Sequence, residues 1–249
     1  MENRTSLHAA STPTTIGILI HVNNVEAPDW EYVAWGDPSE NKLGSLPTLC
    51  LLLLNPLLGS SITQVVIHSG PSQKDGLKEG AYTKQFLLDN LESLAEFPRL
   101  RQLLDTTGET VDMLRERTEN IIIGTDLVRT SDEIAATAKL FQFPKIQQVI
   151  QIACAGHAPR CMQLQADARS NGLIPYDQLW SVMASDVFFS KTESAKDIVI
   201  FEKPHLAYDP MITFAPTAPE VLNRYFTLSA QAKQEFLTEA QQFMDKHRD

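Results

Sequence analysis

The chain has 249 residues, 43% hydrophobic and 21% charged, enough to bury a full core and ordinary for a globular protein. Its formal net charge of −10 at pH 7 excludes the basic footprint that nucleic acids and anionic membranes require. Three cysteines, Cys50, Cys154 and Cys161, are too few and too apolar in setting for a disulfide framework and fit a reducing cytoplasm.

Residues 1–14 are polar, rich in Ser and Thr, and read as a disordered tail without the apolar core of a signal peptide. Residues 15–249 read as a single α/β domain. The run 16–22 is continuously apolar, as in a strand covered on both faces, and it ends at His21 with Asn23 and Asn24 following. Residues 30–35 read as a short strand or a loop, and 36–39 as a turn preset by Asp37 and Pro38. Residues 42–58 read as the first helix, interrupted near Pro47. Its run 46–58 is the most hydrophobic of the chain, yet shorter than the roughly 20 apolar residues of a membrane span.

The next buried strand is 64–70. A helix over 77–95 follows, with apolar residues close to a 3.6-residue period. Residues 97–119, charged and broken by Pro98 and Gly108, read as outer helical pieces. Strand 120–124, a helix through Leu140 and strand 148–154 make a βαβ unit, which implies a parallel sheet. A helix over 158–171 carries Pro159 in its first turn, where proline is tolerated. Residues 176–184 suit a short helix, 197–201 a final strand, and 216–226 and 229–247 terminal helices, the last capped by Ser229. Five strands alternating with helices predict a three-layer α/β/α sandwich with a mainly parallel sheet.

Parallel strands deliver their ends to one edge, where such sheets bind ligands. The polar groups gathered there are His21 and Asn23, His68 with Ser69 and Gly70, Thr125 and Asp126, His157 and Arg160, and Glu202 and His205. The turn His157-Ala-Pro-Arg160 is the sharpest signal. Amide groups at a helix start favour an anion, Arg160 matches phosphate or carboxylate, and His157 exchanges a proton near neutral pH. The plainer alternative is that Arg160 pairs with a surface acid and His157 caps the strand.

Ser69-Gly70 fits a close ligand approach or an ordinary turn equally. Glu79, in a first helical turn, is favoured there whatever the function. On residues alone, Thr130 or Ser131 caps a helix with Glu133 completing a capping box. Glu202, His205 and Asp209 lack diagnostic metal-ligand spacing, so no metal set is assigned. Cys154 and Cys161 flank His157, but a buried inert cysteine is the commoner case than a nucleophile. The glycine fingerprint of dinucleotide sites, the P-loop and the nucleophile elbow do not occur.

Four segments resemble the YdcF-like family, which includes SanA-like and ElyC-like proteins. Val66-Ile-His-Ser-Gly-Pro71 is similar to a strand ending in Ser-Gly-Gly, and Gly76–Ala81 to a Ser-Glu-Ala helix start with Glu79 in the acidic position. Thr130-Ser-Asp-Glu-Ile134 is similar to an Asn-Thr-x-Glu-Asn segment. Residues 150–160 are similar to a strand followed by Thr-Ser-x-x-His-x-x-Arg, with Ala153-Cys154 in place of Thr-Ser. The resemblance implies a Rossmann-like fold with a cleft lined by Ser69, Glu79, Thr130, Glu133, His157 and Arg160. Family members are linked to envelope metabolism, and S-adenosylmethionine binding has been proposed for one branch. The membrane segment of SanA-like and ElyC-like members has no counterpart in this sequence.

The expectation is an enzyme acting on a small anionic metabolite, phosphate-bearing or nucleotide-like. His157, Glu79 and Glu133 are the candidate catalytic residues. Ser69, Gly70, Thr130, Arg160, Asn23 and Asp126 are the candidate ligand contacts. The alternative is a non-catalytic module binding a nucleotide or S-adenosylmethionine. Neither a cofactor nor an oligomeric state is specified by the sequence.

Overall fold

A computed structural model describes residues 14–108, 110–192, 199–202 and 211–214, and beyond these Ser229, Gln231, Glu235, Thr238, Gln242 and Lys246. The first strand, β1 (Ile16–Ile20), is buried at every position. A run with no polar face is stable only between two layers. β2 (Ile62–Ser69), β3 (Ile122–Asp126), β4 (Gln148–Ala153) and β5 (Leu179–Ala184) complete a parallel sheet in the order β3-β2-β1-β4-β5. The chain grows outward from β1 to β3, then crosses back to the other side of β1 at β4. That reversal is the switch point of a doubly wound Rossmann-like sheet.

Strand alternation sorts the side chains between two helical layers. Ile18, Ile20, Val65, Ile67, Ile150 and Ile152 belong to a core shared with α1 (Trp30–Trp35), α2 (Ser45–Leu53), α3 (Glu79–Asn90), α4 (Pro98–Thr107) and α5 (Val111–Glu119). Leu19, Val66 and Val149 point the other way, to α6 (Thr130–Leu140) and α7 (Ala158–Ser170), where Ile134, Phe141 and Ala168 meet them. The Phe141 ring lies directly on Gly17, where a Cβ would stand 2.5 Å from its Cε2. The expected three-layer α/β/α sandwich is the observed one.

Several local expectations are corrected. Residues 30–35 form a helix, α1, because Trp30, Val33 and Ala34 bury one face at helical spacing and Trp30 packs on Phe86. Pro47 does not interrupt α2, since it is the third helical residue, whose N–H would have no intrahelical partner. Residues 179–184, within a segment expected to be helical, are instead edge strand β5. It buries Trp180 and leaves Leu179 exposed, and so lacks the unbroken apolar run of the inner strands. The expected final strand is not part of the sheet. Val199–Glu202 (β6) pairs antiparallel with Met211–Phe214 (β7) in a separate ribbon. The tail 1–13, Lys203, His205 and Asp209, the helix expected over 216–226 and most of that over 229–247 lie outside the described residues. Among the described residues, no helix is long and apolar enough to cross a membrane.

Candidate functional site

The reversal between β1 and β4 opens a crevice at the carboxyl ends of the strands. His21 follows β1, and His157 stands a few residues past β4, at the start of α7. Their rings meet edge to face with centroids 5.7 Å apart. His21 is buried, and both of its nitrogens are engaged. Nδ1 lies 2.6 Å from Oε2 of Glu133 on α6, and Nε2 lies 2.9 Å from Oε1 of Gln151 in the middle of β4. The amide nitrogen of Gln151 donates to Gln165 at 2.8 Å, and that of Gln165 donates to the backbone carbonyl of Trp180 at 3.1 Å.

A backbone carbonyl can only accept, so it fixes the orientation of each amide in turn. Nε2 of His21 therefore carries a proton, and Nδ1 shares a second one with Glu133. Burial disfavours the imidazolium, but Cys161 and then Glu133 outweigh it and raise the His21 pKa well above 6.5.

His157 is the N-cap of α7 without capping through its side chain, so its ring turns into the crevice. Its Nε2 is 3.3 Å from Oγ1 of Thr130. Phe189, on the loop after β5, packs edge-on against the ring at 6.4 Å. That loop is tied down by Ala155 N–H donating to Val187 at 2.7 Å and by Asp186 accepting from Leu43 N–H at 2.9 Å. One helical turn beyond His157, Cys161 is fully buried, with Sγ within 4.8 Å of a ring nitrogen of each histidine. Burial pushes the thiol up, but His157 and then His21 outweigh it and bring the pKa down to about 6.

The capping box expected at the start of α6 does not form. Arg129 is the N-cap and makes no side-chain cap. Thr130 is turned to His157 and Glu133 to His21, so tertiary partners have taken both side chains.

Glu79, the first residue of α3, is buried in an adjoining patch. Its Oε2 accepts from the Ser72 hydroxyl, and the Gly70 backbone also donates to the carboxylate. A Cβ on Gly70 would stand 2.7 Å from Oε2, so glycine is what lets the carboxylate lie against the chain. Burial pushes Glu79 up to about 7 against the Ser72 hydrogen bond, and the charge of Glu133 adds to the rise. The Ser69 hydroxyl accepts the N–H of Gly80 at 3.2 Å and so fixes the start of α3.

The structure thus gathers Thr130, Glu133 and His157 around His21, with Ser69 and Gly70 forming the seat of Glu79. Arg160 is half-buried in the first turn of α7, and the Asn23 amide reaches Cys154 Sγ at 4.0 Å. Asp126 is exposed and pairs with Lys78 at 2.9 Å, on the surface. Sequence reasoning placed His21 at the edge without giving it a role, and it passed over Gln151 and Gln165. A glutamine inside the apolar run 148–153 was the available signal, because a buried amide requires partners. Comparison with family models, curated proteins and solved structures finds no match.

Proposed function

We propose that the chain is an enzyme performing acid–base chemistry on a small anionic metabolite, phosphate-bearing or nucleotide-like, in the crevice between β1 and β4. The observation that carries this reading is the buried Glu133–His21–Gln151 relay set against His157 at the switch point. Buried ionisable groups with displaced pKa values concentrate where function requires them. His157, beside the Thr130 hydroxyl, is the proton-transfer group. Glu79, with a pKa of about 7, is the second candidate acid or base. Arg160 and the start of α7 hold the anion. Kinship with YdcF-like proteins is part of the proposal, supported by all four resembling segments lying at the carboxyl edge or in the helix starts beside it. Three free, buried cysteines support a reducing cytoplasm as its setting.

The test is a thermal-shift screen of nucleotides, sugar phosphates, inorganic phosphate and S-adenosylmethionine on the wild type and Arg160→Ala. A true ligand at a hundred times its dissociation constant stabilises the wild type by about 2.7 kcal/mol. The shift is expected to vanish in Arg160→Ala. With the hit as substrate, His157→Gln is expected to lower kcat by about 10²–10⁴. A second reading, a binding module without turnover, is favoured by the burial of His157, which is 7% exposed. Tight binding with no product and no effect of His157→Gln beyond affinity would select it.

A further inference from the structure

We propose that His21, His157 and Cys161 form a binding site for a borderline-soft divalent transition metal, of which Zn²⁺ and Co²⁺ are the probes. One ring nitrogen of each histidine and Sγ of Cys161 lie within 4.8 Å of one another, and all three residues are buried. Tetrahedral bonds of about 2.0–2.3 Å place neighbouring N and S donors roughly 3.3–3.8 Å apart. The trio therefore closes on an ion by movements of about an ångström.

Two of the donors sit four residues apart at the start of α7, on one helical face, and the third comes from the end of β1. The neighbourhood supplies what metal-ligating histidines require. Glu133 holds Nδ1 of His21 at 2.6 Å, the carboxylate–histidine arrangement that orients a ligand and leaves Nε2 for the ion. Nε2 now directs its proton to Gln151, whose amide swings aside when an ion takes that position. Loading replaces that proton with the ion, just as it takes the proton of the thiol, so affinity rises with pH.

A thiolate with two imidazoles selects zinc-like ions over Mg²⁺ and Ca²⁺, which prefer oxygen. Three protein donors leave a fourth position for water or substrate, the pattern of catalytic rather than structural zinc sites. The site shares His21 and His157 with the proposed acid–base machinery, so the anion screen is run on chelator-treated protein and metal binding is read by the cobalt band without turnover.

The experiment titrates Co²⁺ into full-length, chelator-treated protein and follows the thiolate-to-cobalt charge-transfer band in the near ultraviolet. One ion per chain is expected, displaced by Zn²⁺. Cys161→Ser removes the band while Cys154→Ser keeps it, and Glu133→Gln weakens affinity about 10–100-fold. Should Cys161→Ser fail to fold, His157→Gln provides the second arm, with at least a tenfold loss expected. A folded wild type without the band overturns the proposal. So does a band that survives Cys161→Ser, or an affinity unchanged in His157→Gln.

Discussion

His21 donates from Nε2 because the Trp180 carbonyl, two glutamine amides away, leaves no other arrangement, while Nδ1 lies 2.6 Å from the Glu133 carboxylate. In metal-free protein near pH 7, nitrogen NMR of His21 is expected to show both positions protonated. A single protonated nitrogen would overturn that arrangement. Glu79 gives a second test at this scale. Its folded pKa of about 7 lies above the ordinary 4.5, so the native state binds its proton more tightly than the unfolded chain does. Its contribution to stability is therefore present below about pH 4.5 and is lost as pH rises through about 7. Glu79→Gln keeps an oxygen for Ser72 and cannot ionise. Relative to wild type it should gain stability between about pH 4.5 and about pH 8, by up to about 3 kcal/mol. Urea unfolding at the two ends checks this, and a difference that stays flat would show that Glu79 titrates normally.

At the scale of elements, β1 and α6 are locked together by an absent side chain. Gly17 lies under the Phe141 ring, which is fully buried and has little room to yield. Gly17→Ala is expected to cost about 1–3 kcal/mol by overpacking. Combined with Phe141→Leu, which makes room, the two losses should be less than additive in denaturant melts. Strictly additive losses would mean that the ring is not the obstacle. The inner strands were legible because the run 16–20 is apolar on both faces and 149–153 is apolar but for Gln151. β5 was not, because an edge strand answers to one neighbour and its short apolar stretch fits a helix equally well. The same limit explains α6: Thr130 and Glu133 have the spacing of a capping box, and only the nearness of His157 and His21 redirects them.

At the scale of the whole molecule, one sheet carries two cores on opposite faces. Trp30 belongs to the core shared with α1–α5, and Trp180 to the core shared with α6 and α7. Phe97→Ala opens a cavity in the first core and should cost about 3–5 kcal/mol. In versions retaining only Trp30 or only Trp180, the transition should shift to lower denaturant by the same amount on both faces. A Trp180 transition left in place would show that the faces unfold separately.

The sequence by itself determined the layer architecture, because doubly covered strands and amphipathic helices record their burial in local periodicity. It also marked the carboxyl edge as the place where histidines, acids and Arg160 collect. Only the tertiary structure decided which of them meet. His21 and Glu133 are separated by 112 positions, and His21 and Gln151 by 130. Their contacts depend on β4 pairing beside β1 and on α6 crossing over both, and no local pattern encodes that proximity. The displaced pKa values of His21, Glu79 and Cys161 have the same origin, since burial and neighbouring charge are properties of the assembled fold.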